Sequence, residues 1–395
     1  MIEILAIILL GILAGIITGL IPGIHPNTVV FTSLPIYFAY RPELTSYLVF
    51  IVAISVSHTF HDFLPAIFLH APSATTALST LPGAEAAAQG KGLQAFYRTA
   101  AGGLLSVTAV LLLLPMLLVV LKPVYGFIEP LMLYILIFFL LFAVIESDRV
   151  FVSAQIAALS GMLGIYSFNM PVNQNFVLVP VFTGLFAIPA MTSVLRNDEE
   201  LPEQEKDSQT PISVRSGLIG TLAGLLAGIV PGIGPAISTS FLSPLQGDDG
   251  NFLTALGGVN SSDMVTSLVA LYLLNAPRSG ASVAVSQITS LSQGRMAVLL
   301  GAAFLSAAIA FATALKVSKV FVSLINRLDF TVVVAAVLLV IVSITFLFTG
   351  LFGLLVLFTA SMIGFCARAE GERTVLMAVL ILPSVMSFSG YGVVM

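Results

Sequence analysis

The chain predicts an all-α polytopic membrane protein made of two homologous repeats, and three observations carry that prediction. Of its 395 residues, 58% are hydrophobic and 9% are charged, where ordinary soluble domains carry about 25% charge. Apolar runs such as 104–121, 131–145 and 331–348 reach or approach the length that crosses a hydrocarbon core of about 30 Å. The third observation is a repeated segment. Gly15-Ile-Ile-Thr-Gly-Leu-Ile-Pro-Gly-Ile-His-Pro26 returns 209 residues later as Gly224-Leu-Leu-Ala-Gly-Ile-Val-Pro-Gly-Ile-Gly-Pro235, and a gapless match of 9–35 with 218–244 gives 11 identities in 27 positions. A helix broken at corresponding places of two halves points to a binding site, because backbone groups freed by the break cannot face lipid.

The elements follow in order. In the first repeat, residues 1–196, a span over Ile2–Leu20 precedes the break, and an apolar segment runs on to Tyr40. A second span covers Leu44 to about His58. The stretch from Asp62 to Gly92 is rich in small residues and contains Pro65, Pro72, Pro82 and Gly83. Spans at 93–121, 124–145, 151–168 and 176–195 complete the half. Residues 197–213 hold the acidic run Asn-Asp-Glu-Glu-Leu-Pro-Glu-Gln-Glu-Lys-Asp, whose composition predicts a solvated linker. The second repeat, 214–395, restates the order: 218–230 and its break, 252–274, a small-residue stretch to Gly294, then 296–322, 330–348, 351–367 and 375–387.

The small-residue stretches correspond as well, with Ala71-Pro72-Ser73 answering Ala276-Pro277-Arg278. Their Ser, Thr, Pro and Gly content suits discontinuous or re-entrant helices buried against protein. The whole gives about 10–12 transmembrane segments by the length rule, and an inverted relation of the repeats provides alternating access most simply.

Composition also excludes functions. A net charge of −4 without a basic stripe or tail argues against nucleic acid. The single cysteine, Cys366, rules out an internal disulfide or a cysteine-ligated metal cluster. Trp is absent, which leaves Tyr, Phe and the few charges to mark the interfaces. The opening Met1-Ile-Glu-Ile lacks the basic flank of a removable signal, so it is expected to begin the first span. The chain is expected in the cell membrane, with the lipid bilayer as its surroundings.

Candidate chemistry gathers in three places. The first is the pair of breaks. Helical segments starting after Pro22-Gly23 and Pro231-Gly232 present free N–H groups and the positive end of a dipole, which attract carboxylate or phosphate. Pro22, Gly23, His25, Pro26, Asn27 and Thr28 form one corner. Pro231, Gly232, Gly234, Pro235 and Ser238 form the other, with Gly234 standing where the first copy has His25. The glycine rows 11/15/19 and 220/224/228 are expected mainly to pack helices.

The second place is His58-Thr-Phe-His-Asp62, opposed by Asn260-Ser-Ser-Asp263. An ionisable group in a span costs several kcal/mol unless paired or set on an ion path. Asp62 and Asp263, which match when a gap of a few residues is allowed, are therefore expected to be coupling groups, with His58 and His61 sensitive to protons. Asn260, Ser261 and Ser262 would supply neutral oxygens. Such a set needs no resident cofactor or metal beyond H+ or Na+ as coupling ion, and nothing in the sequence points to a catalytic residue. The third is Arg278, whose planar fork suits a carboxylate or phosphate, with Ser73 in the matching place.

These breaks, the duplication and the Ala-Pro segments resemble the large membrane subunit of the tripartite tricarboxylate transporter family, in particular its shorter archaeal-type members. The likeness rests on the Gly-x-x-x-Gly-x-x-Pro-Gly-Ile-x-Pro copies and on a similar order of spans over essentially the whole chain. It implies a secondary transporter, not an enzyme, that moves carboxylates on a proton or sodium gradient. It also implies a small membrane subunit and an extracytoplasmic binding protein as partners. The family's positions carry over to Pro22, Gly23, Pro26, Asp62, Pro231, Gly232, Gly234, Pro235 and Asp263. Two other functions compete: a translocase of polyprenyl-phosphate lipids, which also meets a phosphate at Pro-Gly breaks, and an intramembrane metal-dependent hydrolase built on the histidines.

Overall fold

The computed structural model describes residues 2–21, 26–69, 76, 80–171, 177–189, 192, 202–205, 210–230, 234–235, 238–239, 248–325, 327, 330–372 and 374–390. The described residues are mostly helical and contain no strand. That is what a low-water solvent demands, since a helix satisfies its backbone internally.

The first half holds α1 (Ile2–Leu20), α2 (Pro26–Tyr40), α3 (Leu44–His61), α4 (Phe63–Phe68), α5 (Thr80–Ala88), α6 (Gly92–Ile128), α7 (Met132–Ile145), α8 (Val150–Asn169) and α9 (Leu178–Phe182), which continues as a wide turn over Thr183–Ala187. The second half holds α10 (Val214–Ile229), α11 (Asp249–Leu274), α12 (Gly280–Ile288), α13 (Gln293–Ile325), α14 (Phe330–Glu370) and α15 (Ala378–Phe388). Six stretches of the described chain are long and apolar enough to cross a membrane. Two of these are divided by a turn or a kink. Gly92–Ile145 joins α6 to α7 through a tight turn at Glu129–Leu131, and α14 is divided at Gly350, whose φ of 64° is open to glycine but strained for other residues. Gly350 falls between the two spans expected from sequence at 330–348 and 351–367.

One expected boundary is corrected. The sequence reading puts a break at Lys122-Pro123, but α6 runs through Pro115 and Pro123 and turns only at Glu129-Pro130. A proline within a membrane helix frees one carbonyl, which neighbouring groups can satisfy. Pro130 suits the start of the next turn, where its missing N–H costs nothing.

Helix α3 is the centre. It begins with Glu43, whose carboxylate accepts the N–H groups of Thr45 (2.9 Å) and Ser46 (2.6 Å), and every residue from Ile51 to His61 is enclosed by protein. Against it α1 lies parallel, through its glycine row. A Cβ on Gly11, Gly15 or Gly19 would stand 2.6, 2.5 or 2.7 Å from the Cβ of Ala53, Ser57 or His61. In lipid there is no hydrophobic force between helices, so close backbone contact supplies the attraction. The other side of α1 shows Leu9, Leu10, Leu13 and Ile17 to the outside, as a lipid face requires.

The same seam recurs between α10 and α11. A Cβ on Gly224 would meet Ser262 Oγ at 1.8 Å, and one on Gly228 would meet Thr266 Cβ at 2.7 Å. Asp248 caps α11, accepting the Asn251 N–H at 2.7 Å.

Helices also trade partners between the halves. From the first half, α6 packs on α11; from the second, α13 packs on α3. Likewise α8 packs on α15 while α14 packs on the Thr183–Ala187 turn. The approaches are equally close, since a Cβ on Gly164 would fall 1.9 Å from the Val379 carbonyl oxygen and one on Gly364 2.3 Å from that of Leu185. The halves are interleaved rather than set side by side.

In the segment expected as a solvated linker, Pro202, Glu203 and Glu205 are exposed and one side chain is not. Gln204 is only 7% exposed and docks into the turn between α5 and α6.

Candidate functional site

The end of α3 meets the middle of α11 in a polar cluster enclosed by apolar helices. Asp62 closes the last turn of α3, its N–H donating to the His58 carbonyl at 3.0 Å. Its carboxylate faces across to the other half. Asn260 Nδ2 lies 3.2 Å from Asp62 Oδ1, 3.3 Å from Oδ2 and 3.4 Å from the Thr59 carbonyl oxygen. Beside it the hydroxyls of Thr59 and Ser261 are 3.1 Å apart. Asp62 and Asn260 are 4% and 3% exposed. An amide whose N–H groups turn to a carboxylate offsets part of the cost of burying that charge.

His58 joins the cluster to α1. Its Nδ1 lies 3.1 Å from Thr18 Oγ1, and that hydroxyl donates to the Gly15 carbonyl at 3.1 Å. The ring's Nε2 points to Asp62 Oδ2, 3.7 Å away. His61 makes a separate contact. Its Nδ1 lies 2.7 Å from the Ser57 carbonyl oxygen, and its buried Nε2 has no hydrogen-bond partner among the described residues. Ser57 in turn donates to the Ile12 carbonyl at 2.9 Å.

The break lies at this level. Gly19, which packs on His61 and the Asp62 amide, is followed within three residues by the first corner. Residues Pro22, Gly23 and His25 of that corner, Pro231 and Gly232 of the other, and Ser73 lie outside the described residues. Their described neighbours take up the helical course expected after the breaks. Buried Pro26 starts α2, with Asn27 and Thr28 in its first turn. Pro235 is likewise buried and helical, and its carbonyl accepts from Ser238 Oγ (3.1 Å) and Thr239 Oγ1 (2.6 Å), while Ser238 N donates to the Gly234 carbonyl.

The seam fixes the gap between Asp62 and Asp263. Gly15 and Gly224 sit on Ser57 and Ser262, and Gly19 and Gly228 sit on His61 and Thr266, an offset of 205 residues in both cases. At that offset His58 corresponds to Asp263 and Asp62 to Ser267. The helix caps Glu43 and Asp248 obey the same register. The two aspartates are thus one helical turn apart in their frames. Ser262 Oγ donates to the Gly258 carbonyl at 2.7 Å, a local bond that leaves it facing Gly224.

Arg278 sits elsewhere. Its Nη2 donates to Tyr125 Oη at 2.8 Å, its guanidinium stands 5.9 Å from that ring's centroid, and its buried Nε has no partner among the described residues. Tyr125 lies 22 residues beyond Gly103, which packs on Ser261, or about 33 Å along α6 by helical rise. Among the described residues no three His, Cys, Asp or Glu side chains are grouped to hold a metal ion.

Sequence reasoning missed Thr18, Thr59 and Tyr125. Thr18 carried a signal, as the one hydroxyl between two seam glycines where the second copy has Ala227. Tyr125 carried none.

Residues 5–378 match the model of the tripartite tricarboxylate transporter TctA family. The chain belongs to that family. A relative from Methanocaldococcus jannaschii, described as an uncharacterized protein, is 28% identical over 382 residues, covering 92% of this chain and 94% of its own. No solved structure matches. As a TctA-family member the chain is a component of a transport system and a multi-pass membrane protein. Transporters of this family work with a small membrane subunit and a binding protein.

Proposed function

We propose that this chain is the membrane-spanning carrier of a secondary transporter for small organic anions of the di- or tricarboxylate type, driven by a proton or sodium gradient. The observation that carries the proposal is the Asp62–Asn260 contact. It joins the two halves through a buried carboxylate at the level where α1 breaks. In such a place an ionisable group is costly, and it is retained where it serves an ion path.

The chemistry supports a coupling ion. His58 Nε2 and the Asp62 carboxylate face each other at 3.7 Å inside the bundle, a pair of groups able to take up a proton or a small cation. The anion itself binds at the two corners, where Pro26 and Pro235 start helical segments whose free N–H groups favour negative charge. The interleaved packing supports an inverted duplication, with the α3–α11 crossing near the axis about which the halves exchange. The short helices α5 and α12 belong to segments that enter the bundle without crossing it. A small membrane subunit and an extracytoplasmic binding protein are the partners this reading calls for.

Purified protein heated with di- and tricarboxylates, each with and without sodium and at several pH values, tests the proposal. Stabilisation by carboxylates that depends on sodium or pH is expected. Stabilisation by polyprenyl phosphates alone would assign the corners to a lipid instead.

A further inference from the structure

The strongest feature outside the transport site is the way Gln204, in the acidic segment between the halves, ties two helix ends together. Its Oε1 accepts the Gly92 N–H at 2.8 Å, at the free N-terminus of α6. Its Nε2 donates to the Ala87 carbonyl at 2.9 Å, at the free C-terminus of α5, and to the Pro202 carbonyl at 2.8 Å. Helix ends leave such groups without intrahelical partners. One primary amide, which both donates and accepts, meets one group from each, the Ala87 carbonyl also accepting the Gly90 N–H at 3.0 Å. The strap has further fastenings: the Glu205 N–H donates to the Gly90 carbonyl at 2.8 Å, Gln94 Nε2 donates to Glu205 Oε2 at 2.5 Å, and Arg98 Nε donates to Thr210 Oγ1 at 2.9 Å.

The glycines of the turn are fitted to it. Gly90 has a φ of 77°, and a Cβ there would meet the Glu203 carbonyl oxygen at 3.1 Å. One on Gly92 would meet the Phe68 ring at 2.6 Å and Gln204 Oε1 at 2.9 Å.

The corresponding turn of the second half, between α12 and α13, has no such strap among the described residues. Its caps are local. Arg295 N donates to Ser292 Oγ at 3.4 Å and Arg295 Nη1 to Thr289 Oγ1 at 3.4 Å, and a Cβ on Gly294 would meet open space. Both turns follow short helices in the small-residue stretches, and among the described residues only the first is held by a segment from outside its own half.

We infer that Gln204 is a latch that makes the α5–α6 turn the fixed member of this pair and leaves the α12–α13 turn as the one that moves. The inference goes beyond the transport reading and does not depend on the ion or anion carried. Local opening of a helix end is governed by the bonds that close it.

Amide hydrogen exchange on the full chain in lipid nanodiscs tests it. In the natural protein, peptides over 86–95 are expected to exchange roughly tenfold or more slowly than those over 289–296. Gln204→Ala should bring the two within about threefold while α3 keeps its protection, and Gln204→Glu, which keeps the acceptor for Gly92 but loses the donors, should fall between. Should the alanine variant fail to fold, the glutamate variant decides by the same comparison. Equal exchange of the two turns in the natural protein, or no change at 86–95 on substitution, overturns the latch.

Discussion

The pair α1/α3 and the pair α10/α11 share a frame and differ in what the frame carries. In both, three glycines spaced by four let one helix lie on the other, and an acidic residue caps the second helix, Glu43 in one pair and Asp248 in the other. Within that frame the first pair holds Thr18, His58, His61 and Asp62, while the second holds Ala227, Asp263, Thr266 and Ser267 at the corresponding positions. Backbone contact tolerates no side chain at a seam glycine, so the seam is confined. Side chains one position away are confined only by the volume they fill, and their chemistry has diverged. The difference teaches that two seams alike in backbone contact can carry unlike polar side chains.

Four experiments break or sharpen this comparison. The largest effect is expected at the seam, where the halves should behave alike. Gly15→Val and Gly224→Val each force atoms into a neighbour's backbone or hydroxyl, at a cost of about 3 kcal/mol, and each should abolish recovery of folded protein or lower its thermal midpoint sharply. If one is tolerated while the other is not, the seams are not equivalent.

Next come the aspartates, where the halves should differ. Asp62→Asn leaves Asn260 facing a second amide, and transport in proteoliposomes should fall about tenfold or more, in line with the loss of a charge-assisted hydrogen bond of roughly 1.5–3 kcal/mol. Asp263→Asn should also impair transport, but with a different dependence on pH and sodium, since its frame offers hydroxyls rather than an imidazole. Normal transport by both variants, with unchanged pH and sodium dependence, would remove the coupling role.

Arg278 has no like-charged counterpart in the first half, where Ser73 corresponds. Arg278→Lys keeps the charge but loses the planar fork that reaches Tyr125. Because that contact lies about 33 Å along α6 from the polar cluster, the dissociation constant of the best anion should stay within about threefold, as it should for Tyr125→Phe. A tenfold rise for Arg278→Lys would bring the anion to Arg278 and away from the two corners.

The smallest effect concerns the cap of α3. The amides of Ser46 and Thr45 lower the pKa of Glu43 from 4.5 to about 2. A folded-state pKa below the unfolded one contributes stability that is full above about 4.5 and is lost as pH falls towards 2. Because Glu43 is exposed, Glu43→Gln should cost less than about 1 kcal/mol. The difference between the two proteins should vanish in acid, and a constant difference across that range would show that the cap does not act through its charge.

Much of the fold was legible in the sequence. The span at 2–20, the division of 330–367 near Gly350 and the segment at 151–168 all follow from apolar length and a helix-breaking glycine. The end of α6 was misplaced because a proline marks a break only where no neighbour takes up the freed carbonyl. In the site, the polar residues of α3 and α11 were recognisable as costly in a membrane. Their pairing was not, since Asp62 reaches Asn260 rather than sharing a frame position with Asp263.

By itself the sequence determined what acts within a few turns of chain: apolar length, the helix-breaking Gly350 and the acidic cap. Each rests on forces between residues close along the helix, which no distant segment can reverse. Only the tertiary structure decided the register of 205 residues between α3 and α11, the exchange of α6 and α13 between halves, and the closure of two helix ends by Gln204 from more than a hundred residues away. Those depend on which surfaces fit one another in three dimensions, and a side chain's type does not specify the partner it will meet.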